Sequence, residues 1–396
     1  MLGVPKASKA IEWVVDPSVR AGFEYSDNIS LVTSTVTPAP KSVSGTNLTA
    51  NLDLGARQET WDLWGGVRLE NRHYGGRDDL DVDNRFANLR YEYRAERNLW
   101  SLKGSYADES ILNATTIGSD VGSQATRTTT NISPAWSRSL TETTQLRVEY
   151  QFLDTQYEND TSVNKRLDYR QQAVNLTVSD QLTSRTSVYA ILGYSAFEVT
   201  TPESQIKTSY TNTSQTNTAQ LGISYNFTET LKGSLSGGPR KTTSEDKICG
   251  LPCVTHVPQS STGHGSVYKA NLESQLELTN TTIGYSRSVD PSGSGGEVQT
   301  ESLSLAIDRQ ITQDRLSVQF VADGYKFEAL GTTSSPIDRN YYRLGPGLRW
   351  RWTTDLTLDA SYRYSRLRYL NATEAASANA VYLTFTYVLP KTSISR

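Results

Sequence analysis

Apolar and polar residues alternate strictly over stretches of about 8–12 positions along the whole chain, and the 3.6-residue period of an amphipathic helix is almost absent. Leu48, Ala50, Leu52 and Leu54 alternate with Thr49, Asn51, Asp53 and Gly55, and Ala87, Leu89, Tyr91 and Tyr93 with Asn88, Arg90, Glu92 and Arg94. Ala219, Leu221, Ile223, Tyr225 and Phe227 follow the same rule, as do Tyr342, Leu344, Pro346, Leu348, Trp350 and Trp352. Successive side chains of a strand point to opposite faces, so each stretch reads as a two-faced β-strand. They begin near residues 18, 46, 61, 86, 99, 128, 145, 170, 186, 215, 231, 267, 281, 301, 315, 341, 356 and 379, which predicts about 18 strands. The stretches near 128, 231 and 281 alternate least cleanly, leaving 16 as the alternative.

The connections alternate too. Short polar turns, such as 57–60, 95–98, 228–230, 279–280 and 353–355, close one set of hairpins. Long Gly/Ser/Thr/Asn-rich loops close the other set, at 27–44, 74–84, 108–126, 154–168, 198–213, 239–265, 288–299, 328–340 and 366–377. An even number of antiparallel strands with short turns at one end and long loops at the other describes a transmembrane β-barrel of the bacterial outer membrane. Aromatic placement agrees. Trp61, Trp100, Trp136, Phe227, Trp350 and Trp352 fall beside short turns, and Tyr25, Tyr106, Tyr150, Tyr194, Tyr285, Tyr342 and Tyr364 at the long-loop ends. Two aromatic bands separated by aliphatic residues match the two interfacial girdles of such a barrel.

Composition narrows the classes further. A share of 36% hydrophobic residues is poor for a soluble core of 396 residues, yet 22 Tyr and 7 Trp are inconsistent with disorder. No apolar run approaches the roughly 18–20 residues of a transmembrane helix. Against 39 Lys and Arg stand 42 Asp and Glu, a net charge of −3, so no polycation invites nucleic acid. The expected organisation is a periplasmic lead over 1–15, a barrel over 16–388 and a periplasmic tail over 389–396. The chain opens without a basic region followed by an apolar core, so it reads as a mature form lacking a signal peptide.

Residues 13–31 carry the segment Tyr25-Ser26-Asp27-Asn28-Ile29, with Leu31 after it. This segment resembles the first strand of an outer-membrane β-barrel porin family, the beta-barrel porin 2 type, whose genes often accompany exopolysaccharide or exosortase systems. The resemblance implies a channel that conducts a secreted polysaccharide, with a periplasmic polysaccharide export protein as partner. The family has no agreed binding residues to carry over. Two other readings stay open from the residues themselves: a general diffusion porin for small hydrophilic solutes, and a plugged barrel that displays its loops as an anchor or adhesin.

If the aliphatic faces meet outer-membrane lipid, the alternate positions line the interior. Arg20, Arg57, Arg68, Arg72, Arg90, Arg94, Lys103, Arg147, Lys269, Arg343, Arg349, Arg351 and Arg363 then point inward, 13 cations. Facing lipid near the midplane, each would cost about 2–4 kcal/mol. Eleven anions accompany them (Glu24, Asp53, Asp62, Glu70, Glu92, Glu149, Glu273, Glu277, Asp308, Asp323 and Asp359), for a balance of +2. Most of the arginines fall on one wall, from the segment near 341 through 379 and round to 86. The opposite wall, from about 128 to 235, carries Asn131, Ser133, Asn175, Thr177, Ser187, Gln220, Ser224 and Asn226. Such a wall suits hydroxyl-rich cargo, and arginines could take carboxylate or phosphate groups bidentately. Cross-strand charge pairing for stability alone explains the same residues. Only Trp64, Tyr189 and Tyr382 stand out as inward aromatics, few for a sugar-stacking slide. Loop 108–126 and loop 239–265 are equal candidates for an inward-folded constriction.

Little else in the chain offers chemistry. Cys249 and Cys253, with three residues between them, read as one small disulfide loop of an oxidising compartment. With His256 and His264 they could instead be zinc ligands, although the spacing is loose. Asp79, Asp81 and Asp83 suggest calcium or, more simply, a solvated loop. No Gly-x-Ser-x-Gly, His-Glu-x-x-His or phosphate-loop pattern occurs, so the expectation is no enzyme, no metal and no cofactor.

Overall fold

Alternating β-branched, aromatic and aliphatic residues give every long segment two distinct faces, and the chain satisfies both by pairing neighbouring segments into one closed sheet. The computed structural model describes residues 11–33, 42–111, 125–158, 166–201, 210–249, 256–293, 296–312, 315–330, 338–370 and 372–395, with the side chains of 200–201, 210, 246–249, 256–259 and 395 excepted. The strands are β1 (Glu12–Ser26), β2 (Val43–Gln58), β3 (Trp61–Tyr74), β4 (Val82–Arg94), β5 (Asn98–Ser110) and β6 (Thr126–Ser139). They continue with β7 (Thr144–Glu158), β8 (Tyr169–Gln181), β9 (Thr186–Thr201), β10 (Tyr210–Asn226), β11 (Leu231–Cys249) and β12 (His256–Gln275). The last are β13 (Thr279–Ser292), β14 (Gly296–Thr312), β15 (Leu316–Ala329), β16 (Arg339–Arg351), β17 (Leu356–Tyr369), β18 (Ala376–Val388) and the short β19 (Thr392–Ser395). A 3₁₀ turn, Asp78–Leu80, precedes β4.

From β1 to β18 each strand pairs antiparallel with the next, and β1 closes the ring against β18, Ser18–Ser26 facing Val388–Ala380. The result is an 18-stranded antiparallel barrel, the three least clean segments of the sequence included as β6, β11 and β13. Two boundaries differ from the sequence reading. β1 opens at Glu12, inside the stretch expected as a lead, because Trp13 and Val15 continue its outward apolar row. Within the stretch expected as a tail, Thr392–Ser395 pair with Val15–Glu12. The partner of β1 passes from β18 to β19 beside Pro17, which has no N–H to give the ladder and accepts from Leu389 N–H instead (3.0 Å).

The register assigns faces throughout. Trp13, Phe23, Leu48, Leu52, Val67, Leu89, Leu192, Leu221 and Leu303 stand on the outer face and are exposed. An apolar belt of this extent is stable only against lipid. Beside the short turns it is edged by Trp100 and Trp136, 5.9 Å apart, Tyr225 and Phe227, 4.9 Å apart, and stacked Trp350 and Trp352, 5.6 Å apart. The other edge carries Tyr25, Tyr106, Tyr194, Tyr285 and Tyr342, all exposed.

Four short turns share a device that the sequence repeats as an apolar residue followed by Thr. The hydroxyls of Thr141, Thr183, Thr228 and Thr353 each accept the N–H groups two and three residues on, at 2.9–3.3 Å. A threonine hydroxyl there replaces a backbone carbonyl and tightens the hairpin.

The segment expected as loop 239–265 is largely ladder, paired from Pro239↔Ser266 up to Cys249↔His256. Thr242, Ser244, Ser260 and Thr262 make it polar on both faces, so hydrophobic alternation could not reveal it. Above the lipid belt no apolar outer face is required. Cys253 and the Cys249 side chain lie outside the described residues, and with them the disulfide and zinc readings.

Candidate functional site

The long-loop end of the barrel is narrowed from inside by the tip of the β13–β14 hairpin. β12 pairs with β13 only from Gln275↔Asn280 to Tyr268↔Arg287. Beyond that point β13 and β14 pair only with each other and with β15, up to Ser292↔Gly296 and Val298↔Ala329. The wall therefore splits, and the hairpin tip turns inward. Its former outer face lands on the inner face of β10. The Glu297 carboxylate accepts from Ser214 Oγ (2.5 Å) and Thr216 Oγ1 (3.2 Å), with Ser244 donating to Ser214 and Thr242 within hydrogen-bond distance of Thr216. Leu167 N–H donates to Gly293 O (2.7 Å), and a side chain at Gly293 would collide with the Tyr157 ring. Ser292, Glu297 and Val298 are 0%, 4% and 1% exposed.

The tip's other face is apolar and closes a cluster inside the lumen. Val298 packs with Leu31 of the β1–β2 connection and with Phe327, Tyr341, Leu367, Ala376 and Ala378 of β15–β18. Leu80 and Ile29 pack beside Val43 and Tyr74 in a second cluster. Among the described residues, three connections fill the long-loop mouth: residues 28–33, the turn around Leu80, and the β13–β14 tip. Of the two constriction candidates in the sequence, 112–124 lies outside the described residues. The 239–265 segment is strand, as described above. Among the described residues the narrowing comes from 288–293 and 296–300, whose lumenal partners Ser214, Leu31 and Phe327 are remote in sequence. No local signal could have singled it out.

The residues that carried the family resemblance build the clamp at this mouth. Asp27 accepts from Asn379 N–H (2.7 Å) and Asn379 Nδ2 (2.6 Å), tying the end of β1 to β18. Asn28, buried, donates through Nδ2 to Val32 O (2.7 Å) and Ser377 O (2.9 Å), and its Oδ1 accepts from Val32 N–H (3.2 Å). This turn holds Leu31 at φ 49°, an unusual conformation for leucine, with its side chain in the apolar cluster.

Arg20, Arg57, Arg68, Arg72, Arg90, Arg94, Arg343, Arg349, Arg351 and Arg363 all stand on the inner face, opposite the apolar belt. So do Asn175, Gln220 and Asn226 on the far wall. Most of the arginines are engaged. Arg57 and Arg94 share Asp62 (2.8 and 2.6 Å), Arg90 and Arg94 hold Glu92 (2.5 and 2.7 Å), Arg343 binds Asp323 (2.5 Å) and Arg349 binds Asp359 (2.7 Å). Arg72 bridges Glu70 and Glu24, and the Glu24 carboxylate also accepts from the Tyr74 hydroxyl. Arg68 lies 3.8 Å over the Phe86 ring and Arg363 4.6 Å over Tyr382. Arg20 and Arg351 are in no ion pair among the described residues.

Inward aromatics outnumber the three noted in the sequence. Tyr157, Tyr169 and Phe197 form one chain of ring contacts at 6.3 and 5.6 Å, and Tyr325 meets Phe327 and Tyr341 at 6.0 and 6.3 Å. They were overlooked because they sit at the long-loop ends of their strands, where lipid no longer demands apolar residues outside. There the apolar side of the alternation switches to the lumen. The acidic run after β3 works as a loop brace. Asp79 pairs with Arg77 (2.8 Å), and Asp81 accepts Tyr74 N–H (2.7 Å) and lies 2.5 Å from His73 Nδ1. The Tyr74 N–H, reinforced by His73, holds the Asp81 carboxyl below the usual carboxylate range.

No family model and no curated protein matches the chain. Among solved structures it is similar to the ferric citrate transporter FecA in its unliganded form, with 8% identity over 94% of this chain and 79% of that one, at a TM-score of 0.52. It is also similar to the ferric-catecholate import receptor Fiu from E. coli K12, with 11% identity over 98% of this chain and 82% of that one, at a TM-score of 0.49. A third is Acinetobacter baumannii OccAB4, with 9% identity over 98% of this chain and all 100% of that one, at a TM-score of 0.48. The likeness to FecA is one of fold: an outer-membrane β-barrel.

Proposed function

We propose that this barrel is a passive outer-membrane channel, and that its cargo is a neutral or sparsely charged secreted polysaccharide. The observation that carries this reading is the division of the inner wall. Asn175, Thr177, Gln220, Ser224 and Asn226 line one side, and arginine-rich β16–β18 and β1–β4 the other, in a barrel wide enough for water. Many weak hydrogen bonds from neutral amides and hydroxyls let a sugar chain slide without being trapped. The short turns would face the periplasm, where a polysaccharide export protein would dock. A polymer passes only when the β13–β14 tip leaves the mouth.

The constriction itself favours a second reading, a diffusion porin for small hydrophilic solutes. Single-channel conductance in a planar bilayer, with neutral polymers of graded size as blockers, separates the two. Entry of large polymers supports the conduit, and a cut-off near the size of a disaccharide supports the porin. A silent barrel would refute both as stand-alone activities and leave a partner-dependent or display role.

A further inference from the structure

We propose that the recess at the short-turn end of the arginine wall is a binding site for a carboxylate or phosphate group, the acidic substituent of a sugar. This deepens the channel reading and rests on it for the sugar. Arg351, Thr357, Thr386 and Arg20 form one row across four neighbouring strands, each directly opposite the next in the ladder. Strand spacing places the two arginine Cα atoms roughly 14 Å apart, with two threonine hydroxyls as the floor between them. Long guanidinium side chains leaning over those threonines converge on a single oxyanion. The adjacent row contributes Arg349, already held by Asp359 at 2.7 Å.

All of these residues line one cavity of about 510 Å³, within the range of small-ligand sites. Three guanidinium groups face a single carboxylate there, an excess of two positive charges. Along the same wall Arg57, Arg72, Arg90, Arg94 and Arg343 are neutralised by acids, and Arg68 and Arg363 are covered by rings. Here two arginines stand without an ion pair among the described residues, above donors that could complete the coordination of an anion. The space exists because β16 places glycine at its inward positions 345 and 347, between Arg343 and Arg349. The pattern Arg-x-Gly-x-Gly-x-Arg-x-Arg builds both the cations and the room beside them. A planar guanidinium offers two parallel N–H groups to a carboxylate or phosphate, which an ammonium cannot.

The test is equilibrium binding of trigalacturonate to the detergent-solubilised full-length barrel, with maltotriose as the uncharged counterpart. The wild-type chain is expected to bind trigalacturonate in a salt-dependent way. Arg20→Ala with Arg351→Ala should weaken it at least tenfold, and Arg20→Lys with Arg351→Lys should not restore it. Gly347→Leu keeps every charge but fills the recess, and it should also lose binding. Maltotriose affinity should be equal in all four proteins, and heat-modifiable electrophoresis checks that each is folded. Equal trigalacturonate affinity in wild type and the double-alanine variant would overturn the proposal, as would absence of binding to wild type. Because the assay needs no conduction, a silent barrel in the bilayer would refute the channel reading without touching this one.

Discussion

Replacing Asn28 with alanine should open the long-loop mouth while leaving the barrel intact. The side chain makes three hydrogen bonds in a buried setting: two donated, to Val32 O and Ser377 O, and one accepted from Val32 N–H. At a net value of about 1 kcal/mol each, their loss weakens the closed arrangement of residues 28–33 by about 3 kcal/mol. The left-handed backbone of Leu31 is itself unfavourable by about 1–3 kcal/mol, and opening relieves it. Set against tenfold per 1.4 kcal/mol, the population of the open connection rises by about two orders of magnitude. Hydrogen exchange reads this directly. The Leu31 amide, bonded to Asn28 O at 3.1 Å, and the Val32 amide should lose protection, while amides in the middle of β2, β3 and β17 keep theirs. The folded band in heat-modifiable electrophoresis should persist. Unchanged protection at Leu31 and Val32 would refute the claim that Asn28 holds this clamp. Loss of the folded band would show that the residue supports barrel closure as a whole.

Three further outcomes follow from other parts of the molecule. Oxidised Tyr157→Cys with Gly293→Cys should tether the β13–β14 tip and block polymer entry in the bilayer, and reduction should restore it; polymer entry through the oxidised form would refute a moving tip. Leu221→Arg puts a cation in the middle of the lipid belt and should destabilise the barrel by about 2–4 kcal/mol, measured as a lower denaturant midpoint in detergent; no change would contradict the assigned faces. Asp81 titrates below the usual range, so its brace on Tyr74 N–H is fully present above the unfolded carboxylate pKa and is lost only as pH falls through the lowered folded value. Protection of the Tyr74 amide, taken relative to its intrinsic exchange rate at each pH, should therefore persist at pH 5 and fall only in stronger acid, and the Asp81→Asn variant should lack that transition.

Much of this architecture is written locally. In a strand the face of every residue follows from that of its neighbour, so the alternation at Leu48–Gly55 or Tyr342–Trp352 is enough to separate lipid from lumen. A charge on the wrong face is expensive, so the inward positions of Arg57, Arg68, Arg90, Arg349 and Arg351 could be read from period alone. The motif Ser26-Asp27-Asn28-Ile29 was visible as a motif, yet its work was not: Asn379, Ser377 and Val43 are its partners, and two of them lie at the opposite end of the chain.

Sequence by itself therefore determined what repeats every two residues: the strands between the girdles, their two faces, the short turns and the aromatic bands. Tertiary structure alone decided what happens above the lipid, where that repeat has no energetic reason to persist. There β11 and β12 continue as a ladder polar on both sides, and the β13–β14 tip leaves the wall to seat Glu297 on Ser214 and Val298 on Leu31. It also decided which arginines are neutralised and which stay free. Pairing across a barrel depends on register between strands, and Arg20 shares a row and a recess with Arg351, Thr386 and Thr357 only because the last strands close on the first.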